Sequence, residues 1–136
     1  MSQKTLTVKI LTPERKVFVG EADMIIARSI DGDIGIMPGH APLVTMLRSG
    51  VFRVRAAGTV QRLAVHNGYL SVRDNTVLVL SEAAERAEEI DVDRALAAKR
   101  RAEERLARVQ MEKIDAARAK AALERALSRL QAAGSD

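Results

Sequence analysis

Hydrophobic and polar residues alternate through the first half of the chain. In Leu6–Leu11, LTVKIL, every second side chain falls on one face, which is the period of a half-buried β-strand. Further short runs rich in Val, Ile and Leu follow: KVFVG, DMIIARSI, GVFRVRA, VQRLAVHNG, YLSVR and TVLVL. Their lengths and regular spacing predict a small antiparallel sandwich or barrel.

Turn-forming residue pairs separate these runs. Asn67-Gly68 is typical of a two-residue hairpin turn, because both turn positions need positive φ. The pair predicts that one strand ends there and the next begins. His66, directly before the turn, is then expected to be a turn or surface histidine.

The pattern changes after Ser81. No glycine follows until Gly134 and no proline follows at all, while the helix formers Ala, Glu, Arg and Leu dominate. Asp91 and Asp115 are candidate N-caps, which predict helices over about 91–110 and 115–132. We therefore predict an α+β fold. A flattened antiparallel β-sandwich domain over 1–83 precedes a C-terminal two-helix hairpin over 84–136.

The apolar face of the predicted hairpin is thin. Its large apolar residues are few and alanine fills most other positions, so each contact buries little area. The link between the helices also lacks glycine and proline. Two arrangements stay open: a hairpin docked permanently on the sandwich, or helices that exchange between a hairpin and an extended rod.

Composition excludes several classes of protein. With no cysteine there is no disulfide or thiolate metal site, and no apolar run is long enough to predict a membrane span or signal peptide. The net charge of +4 lies in residues 1–81, and residues 82–136 are neutral. The chain has one tyrosine, two phenylalanines and no tryptophan, too few stacking platforms for a single-strand nucleic-acid binder.

A search for catalytic and metal-binding patterns finds none that is convincing. His40 and His66 show no metal-ligand spacing, so no metal held by the protein is expected. Gly32-Asp33-Ile34-Gly35 lacks the lysine and the helix of a phosphate loop. The residues therefore indicate a binding, structural or regulatory protein that is not an enzyme.

The helical half is rich in arginine. Arg101 and Arg105, and likewise Arg125 and Arg129, lie four residues apart and share a helix face. Arginines from two antiparallel helices can converge on a polyphosphate through their forked donors. The alternative is a solvated face of Glu–Arg pairs.

A specific resemblance adds to this interpretation. The stretch GDIGIMPGHAPLVTML, Gly32 to Leu47, resembles the signature of the epsilon subunit of bacterial and chloroplast F-type ATP synthase. The segment VKILTPERKVFVGEADMIIARSIDG before it and the later AAERAEEIDVDRA are similar to the same family, in the same order. The resemblance covers nearly the whole chain and implies a sandwich followed by two helices.

The resemblance implies a non-catalytic central-stalk (rotor) subunit that couples the catalytic head to the proton-translocating ring. The expected partners are the gamma subunit, the c ring, and the alpha and beta subunits, at the cytoplasmic face of the bacterial membrane. The isolated chain is expected to be a monomer. The residues expected to dock on partners are Asp33, Met37, Pro38, His40 and Pro42.

In ATP-binding, Bacillus-like members of this family, [IL]-D-x-x-R-A opens the first helix. Ile90, Asp91, Arg94 and Ala95 match this pattern. The further matching positions are Glu85, Arg101, Arg125 and Arg129. The resemblance implies that ATP, with Mg²⁺ as its companion ion, is a regulatory ligand and not a substrate.

The same resemblance implies that ATP favours the folded hairpin, whereas extended helices suppress ATP hydrolysis. Two other functions stay open. One is a stalk subunit without nucleotide sensing, and the other is a free-standing ATP-sensing module.

Overall fold

A computed structural model of the chain describes residues 5–108 and 116–134. Eight strands form within the first of these ranges. They are β1 (Leu6–Leu11), β2 (Lys16–Ala22), β3 (Met24–Ser29), β4 (Gly32–Ile36), β5 (Leu43–Leu47), β6 (Gly50–Ala56), β7 (Thr59–Arg73) and β8 (Thr76–Arg86). Two helices follow, α1 (Val92–Ala107) and α2 (Ala116–Ala132). The predicted order of a β-sandwich followed by two helices is confirmed.

The strands pair mainly with antiparallel neighbours, in the order β2-β1-β8-β7-β5-β3-β4, with β6 joined to β3 and β7. One pair departs from the predicted antiparallel arrangement, because β1 and β8 run parallel, with residues 7–11 opposite 76–80. The long strand β7 joins the two parts of the sandwich. Its residues 59–65 pair with β6, and residues 68–72 pair with β5.

The predicted hairpin turn at Asn67-Gly68 is wrong. The pair lies inside β7, where the strand changes its partner from β6 to β5. Asn67 has φ 59° and Gly68 has φ 137°, so the positive φ values bend the strand without ending it. A Cβ at Gly68 would collide with the Leu80 carbonyl oxygen, which explains the glycine.

Alternation along the strands builds the sandwich core. Leu6, Val8 and Ile10 of β1 are fully buried on one face, and Phe52 of β6 is 1% exposed. The remaining core residues are Val, Leu, Ile and Ala side chains together with Phe18. Strand formation extends into the stretch Gly32 to Leu47, whose two ends are β4 and β5, leaving 37–42 as their connection.

Helix α1 begins as the sequence predicts. The Asp91 side chain accepts a hydrogen bond from the Arg94 backbone N–H at 3.0 Å and so caps the helix. The predicted cap Asp115 and the link around it lie outside the described residues.

The two helices pack together mainly through small side chains, and α2 packs on β6 and β7. The buried helix residues are Ala95, Ala102, Ala119, Ala126, Ser128, Leu130 and Ala132. This composition agrees with the thin apolar face that the sequence predicts.

A short 3-10 turn, Ala87–Glu89, connects the sandwich to α1. Arg15, in the β1–β2 connection, holds Glu89 with two hydrogen bonds of 2.8 and 2.9 Å. The Arg86 guanidinium donates to the Val17 carbonyl oxygen at 2.9 Å and lies 5.5 Å from the centre of the Phe18 ring. The segment before α1 is therefore fastened to the β1–β2 hairpin at two points.

Candidate functional site

A polar cavity of about 480 Å³ lies where the end of β8, the 3-10 turn and both helices meet. This size falls within the range of small-molecule sites. Its lining residues are Ala83, Glu85, Glu89, Asp91, Arg94, Ala95, Ala98, Arg101 and Arg129.

One face of helix α1 forms a wall of the cavity. Arg94, Ala98 and Arg101 lie three and four residues apart and share a face. Asp91 stands at the N-terminus of the helix, where unpaired backbone N–H groups and the helix dipole favour negative charge. Asp91 itself supplies that charge, so the attraction of this wall for an anion comes from the two arginines.

The opposite wall is held by an ion pair between the sheet and α2. Arg129 donates from Nε to Glu85 Oε1 at 2.6 Å, across 44 residues of sequence. Both side chains are about one-third exposed, at 29% and 31%, so solvent partly screens this pair. The contact nevertheless positions the second helix against β8.

His66 lies buried beside this ion pair, and the prediction of a turn or surface histidine is wrong. The ring is 2% exposed, and its Nε2 lies 3.6 Å from Glu85 Oε1, too far for a hydrogen bond. Within the described residues, neither ring nitrogen has a hydrogen-bond partner. Burial, together with the positive charge of Arg129, lowers the pKa of His66 to about 4, although Glu85 opposes the change.

Six residues predicted from the sequence share this cavity: Glu85, Asp91, Arg94, Ala95, Arg101 and Arg129. Two others do not line it. Ile90 packs against the small cluster of Val51, Ala64 and Ala132, where it anchors the start of α1. Arg125 is half-buried one helical turn before Arg129, and its charge acts on His66.

The lining combines three arginines with three carboxylates and small apolar side chains. Guanidinium groups are forked donors that suit phosphate oxygens, whereas Asp91 and Glu85 accept hydrogen bonds. Ala83, Ala95 and Ala98 supply apolar surface without filling the space. Among residues 5–108 and 116–134, no three His, Asp or Glu side chains gather as they would around a metal ion.

The residues expected to dock on partners lie at another end of the sandwich. Met37 is 54% exposed, and His40 and Pro42 are also exposed, in the connection between β4 and β5. Pro38 is half-buried and Asp33 is exposed on β4. These residues form a surface loop and its supporting strand.

Two hydrogen bonds hold this loop in shape. The Gly39 N–H donates to the Asn75 side chain at 2.7 Å, which ties the loop to the β7–β8 turn. The His40 N–H donates to the Met37 carbonyl oxygen at 3.2 Å and closes a tight turn. These two bonds give the exposed loop a defined conformation.

An exposed apolar row crosses the sheet near these strands. Leu11, Leu80, Tyr69 and Met46 are successive cross-strand neighbours on β1, β8, β7 and β5. The last three are half exposed, at 50%, 55% and 47%. They line a cleft of about 670 Å³, and an exposed apolar patch of this kind marks an interaction surface.

The fold and its two surfaces define a chain of two units, a β-sandwich and a helix pair, and family models match both units. Residues 5–87 match the ATP synthase Delta/Epsilon chain beta-sandwich domain, and residues 88–134 match its long alpha-helix domain. The chain therefore belongs to the delta/epsilon chain family of ATP synthase. As the sequence predicted, it is a non-catalytic subunit.

Relatives agree over nearly the full length. An ATP synthase epsilon chain of Pelotomaculum thermopropionicum is 54% identical, covering 98% of this chain and 99% of the relative. One from Bacillus velezensis is 45% identical, covering 97% and 99%.

Solved structures share the fold. A chain in the Euglena gracilis mitochondrial ATP synthase has a TM-score of 0.80 at 22% identity, covering 98% of this chain and 83% of that one. A chain from the Tetrahymena thermophila mitochondrial ATP synthase has a TM-score of 0.60 at 17% identity, covering 97% and 98%. No helix of the described residues is long and apolar enough to cross a membrane.

Proposed function

We propose that this chain is a central-stalk subunit that couples the catalytic head of an F-type ATP synthase to its proton-translocating ring, and that its helix pair senses ATP. Family membership supports the stalk role. One observation carries the sensing role. The end of β8 and both helices enclose a single cavity lined by Glu85, Asp91 and three arginines.

The residues present fit a nucleotide. Arg94, Arg101 and Arg129 would hold the phosphates, and Asp91 and Glu85 would accept from N–H groups of the base or from neighbouring arginines. Any Mg²⁺ would enter with the phosphates. The phosphates would thus bridge arginines of α1 and α2.

Regulation then follows from the small size of the helix interface. A ligand that binds only the closed pair stabilises it by RT ln(1 + [ATP]/Kd), which is about 1.4 kcal/mol at ten times Kd. The interface is built mainly of alanines, so a bias of this size changes its population. When ATP falls, the helices open, extend towards the alpha and beta subunits and suppress hydrolysis.

The sandwich would dock the chain in the complex at the cytoplasmic face of the membrane. The row of Leu80, Tyr69 and Met46 suits an apolar face of the gamma subunit. The shaped loop with Asp33, Met37 and His40 suits the polar loops of the c ring. The chain would then be held at the membrane through its partner subunits.

ATP binding is tested by calorimetric titration of the full chain. We expect saturable one-site binding that Arg101→Ala weakens at least tenfold, because a phosphate contact is lost. Arg100→Ala is the matched control, since this exposed neighbour on α1 does not line the cavity. Asp91→Ser removes the carboxylate while keeping a capping oxygen, so it separates ligand contact from helix stability.

Equal affinity of the Arg101→Ala and Arg100→Ala proteins would place ATP elsewhere. Absence of binding at millimolar ATP would leave a stalk subunit without nucleotide sensing.

The docking surface is tested by co-purification with the gamma subunit. We expect Leu80→Glu to abolish capture, since it places a charge in the middle of the apolar row. Val60→Glu, at a position with similar exposure outside the cleft, should leave capture unchanged. ATP binding without any gamma binding by the parent chain would indicate a free-standing sensor.

A further inference from the structure

Within residues 5–108 and 116–134, His66 is the buried side chain whose ring nitrogens lack hydrogen-bond partners, and neither the fold nor the proposed ligand contacts explain its role. It lies in the middle of β7, opposite Ala83 of β8, and Ala83 lines the cavity. Its Nε2 faces the same Glu85 oxygen, Oε1, that accepts from Arg129. One carboxylate oxygen therefore stands between a histidine at 3.6 Å and an arginine at 2.6 Å.

This geometry allows an exchange of partners. A polyphosphate in the cavity competes with Glu85 for the Arg129 guanidinium, because both are anions that accept from its donors. When Arg129 turns to the phosphate, Glu85 loses its partner while still two-thirds buried. A largely buried carboxylate without a partner is unfavourable, and His66 Nε2, 3.6 Å from Glu85 Oε1, is a donor that it can recruit.

We propose that His66 is a residue of the nucleotide site, which takes up a proton from solvent and donates from Nε2 to Glu85 when bound phosphate draws Arg129 away. The inference rests on the ATP site proposed above and adds to it a proton that binds with the ligand. The contact is new in the liganded state, because in the structure Arg129 occupies Glu85.

The charged groups around His66 make it responsive to the ligand. Helix α2 contributes Arg129 and Arg125, which disfavour protonation, and β8 contributes Glu85, which favours it. Helix α1 brings Asp91, Arg94 and Arg101 to the same cavity. Phosphate in the cavity neutralises arginines and adds negative charge, so both changes raise the pKa of His66 from about 4.

The direction of the pH dependence follows from linkage. Since the liganded chain has the higher His66 pKa, binding takes up a proton between the two pKa values and strengthens as pH falls. Well above both pKa values the histidine is neutral in both states and adds nothing. A rise of two pKa units would strengthen binding about tenfold between about pH 7.5 and about pH 5.

The test is an NMR titration of the two histidine rings of the full chain, with and without saturating ATP. We expect ATP to raise the pKa of His66 by at least one unit. His40, exposed in the β4–β5 loop, is the internal control and should not change. Tripolyphosphate in place of ATP shows whether the phosphates alone cause the change.

Two variants sharpen the test. Arg129→Ala should raise the pKa of His66 without any ligand, because it removes the competing partner of Glu85. His66→Gln should abolish the part of the ATP affinity that depends on this proton, whereas His40→Gln should retain it. Protonation of ATP itself is common to all proteins and cancels in the comparison.

The outcomes separate the inference from the proposed function. If ATP binds and the His66 titration stays unchanged, the inference is overturned and the ATP site stands. If Arg129→Ala leaves the pKa unchanged, the exchange of partners is overturned. If ATP does not bind at all, the ATP site fails and the inference fails with it.

Discussion

The sandwich and the helix pair are held together by different means. The sandwich buries large side chains from every strand, among them Phe52, Ile25, Leu63 and Leu70, each at most 1% exposed. In the helix pair the buried residues are alanines, one serine and Leu130. At roughly 25 cal/mol per Å² of apolar area, an alanine contributes much less than a leucine.

This difference shows how one chain combines a fixed part with a movable part. The sandwich has a large core of its own, whereas the helices are held by small side chains packed on each other and on the sheet, and by polar contacts near β8 such as Glu85 with Arg129. These contacts surround the proposed ligand cavity. The weaker part of the molecule is thus the part whose contacts a ligand would change.

The largest expected effect is on the stability of the sandwich. Phe52→Ala should lower the free energy of unfolding by about 3–5 kcal/mol, because it leaves a cavity in the sandwich core. Chemical denaturation followed by circular dichroism measures the change. Tyr69→Ala removes an aromatic that is 55% exposed and should cost far less. Equal losses for the two variants would contradict the assignment of the core.

Acid is expected to have an intermediate effect, which weakens the packing of the helix pair on the sheet. Since the pKa of His66 is about 4 in the packed state and about 6.5 when exposed, the stability contributed by its neutral form is fully present above about pH 6.5. It is lost as pH falls towards 4, by about 3 kcal/mol, because the open state binds the proton first.

Acid should therefore separate the helices from the sheet before the sandwich unfolds. NMR spectra resolved by residue, recorded between about pH 7 and about pH 4, show whether the native signals of the helices disappear before those of the sandwich. His40→Gln should behave like the parent chain, and His66→Gln should lose the dependence. Simultaneous loss of both parts would argue against a separate helix transition.

The smallest expected effect is at the N-terminus of α1. Asp91→Ala should destabilise the helix pair by about 1 kcal/mol, since the Arg94 N–H loses its capping acceptor. Asp91→Ser should lose less, because the hydroxyl also caps. Hydrogen exchange of amides in the first turn of α1 measures this directly, with β1 amides as the reference. Faster exchange in β1 would show that the two parts are not independent.

Local patterns were sufficient to predict the fold class. Alternation located β1 as Leu6–Leu11, and the capping chemistry of Asp91 located the start of α1. The antiparallel assumption was wrong only at β1 with β8, because pairing across about 70 residues leaves no local signal. At Asn67-Gly68 the residues do adopt positive φ, yet the neighbouring strands continue through the bend.

The candidate site was predicted in part. The motif positions Asp91 and Arg94 lie close in sequence, so their shared location follows from helix geometry. His66 could not be found in this way. Its burial depends on α2 covering β7, a contact between residues that the sequence separates widely. Only the alternation that places Ala64 and His66 on one face of β7 hinted at an inward position.

The parallel pairing of β1 with β8 has a consequence for synthesis on the ribosome. Residues 7–11 find their partners only when residues 76–80 have emerged, so the first strand waits for most of the sandwich. Helices α1 and α2 emerge later still. The helices therefore dock on a sheet whose strands have already paired. A chain that ends before Val92 still contains all eight strands of the sandwich.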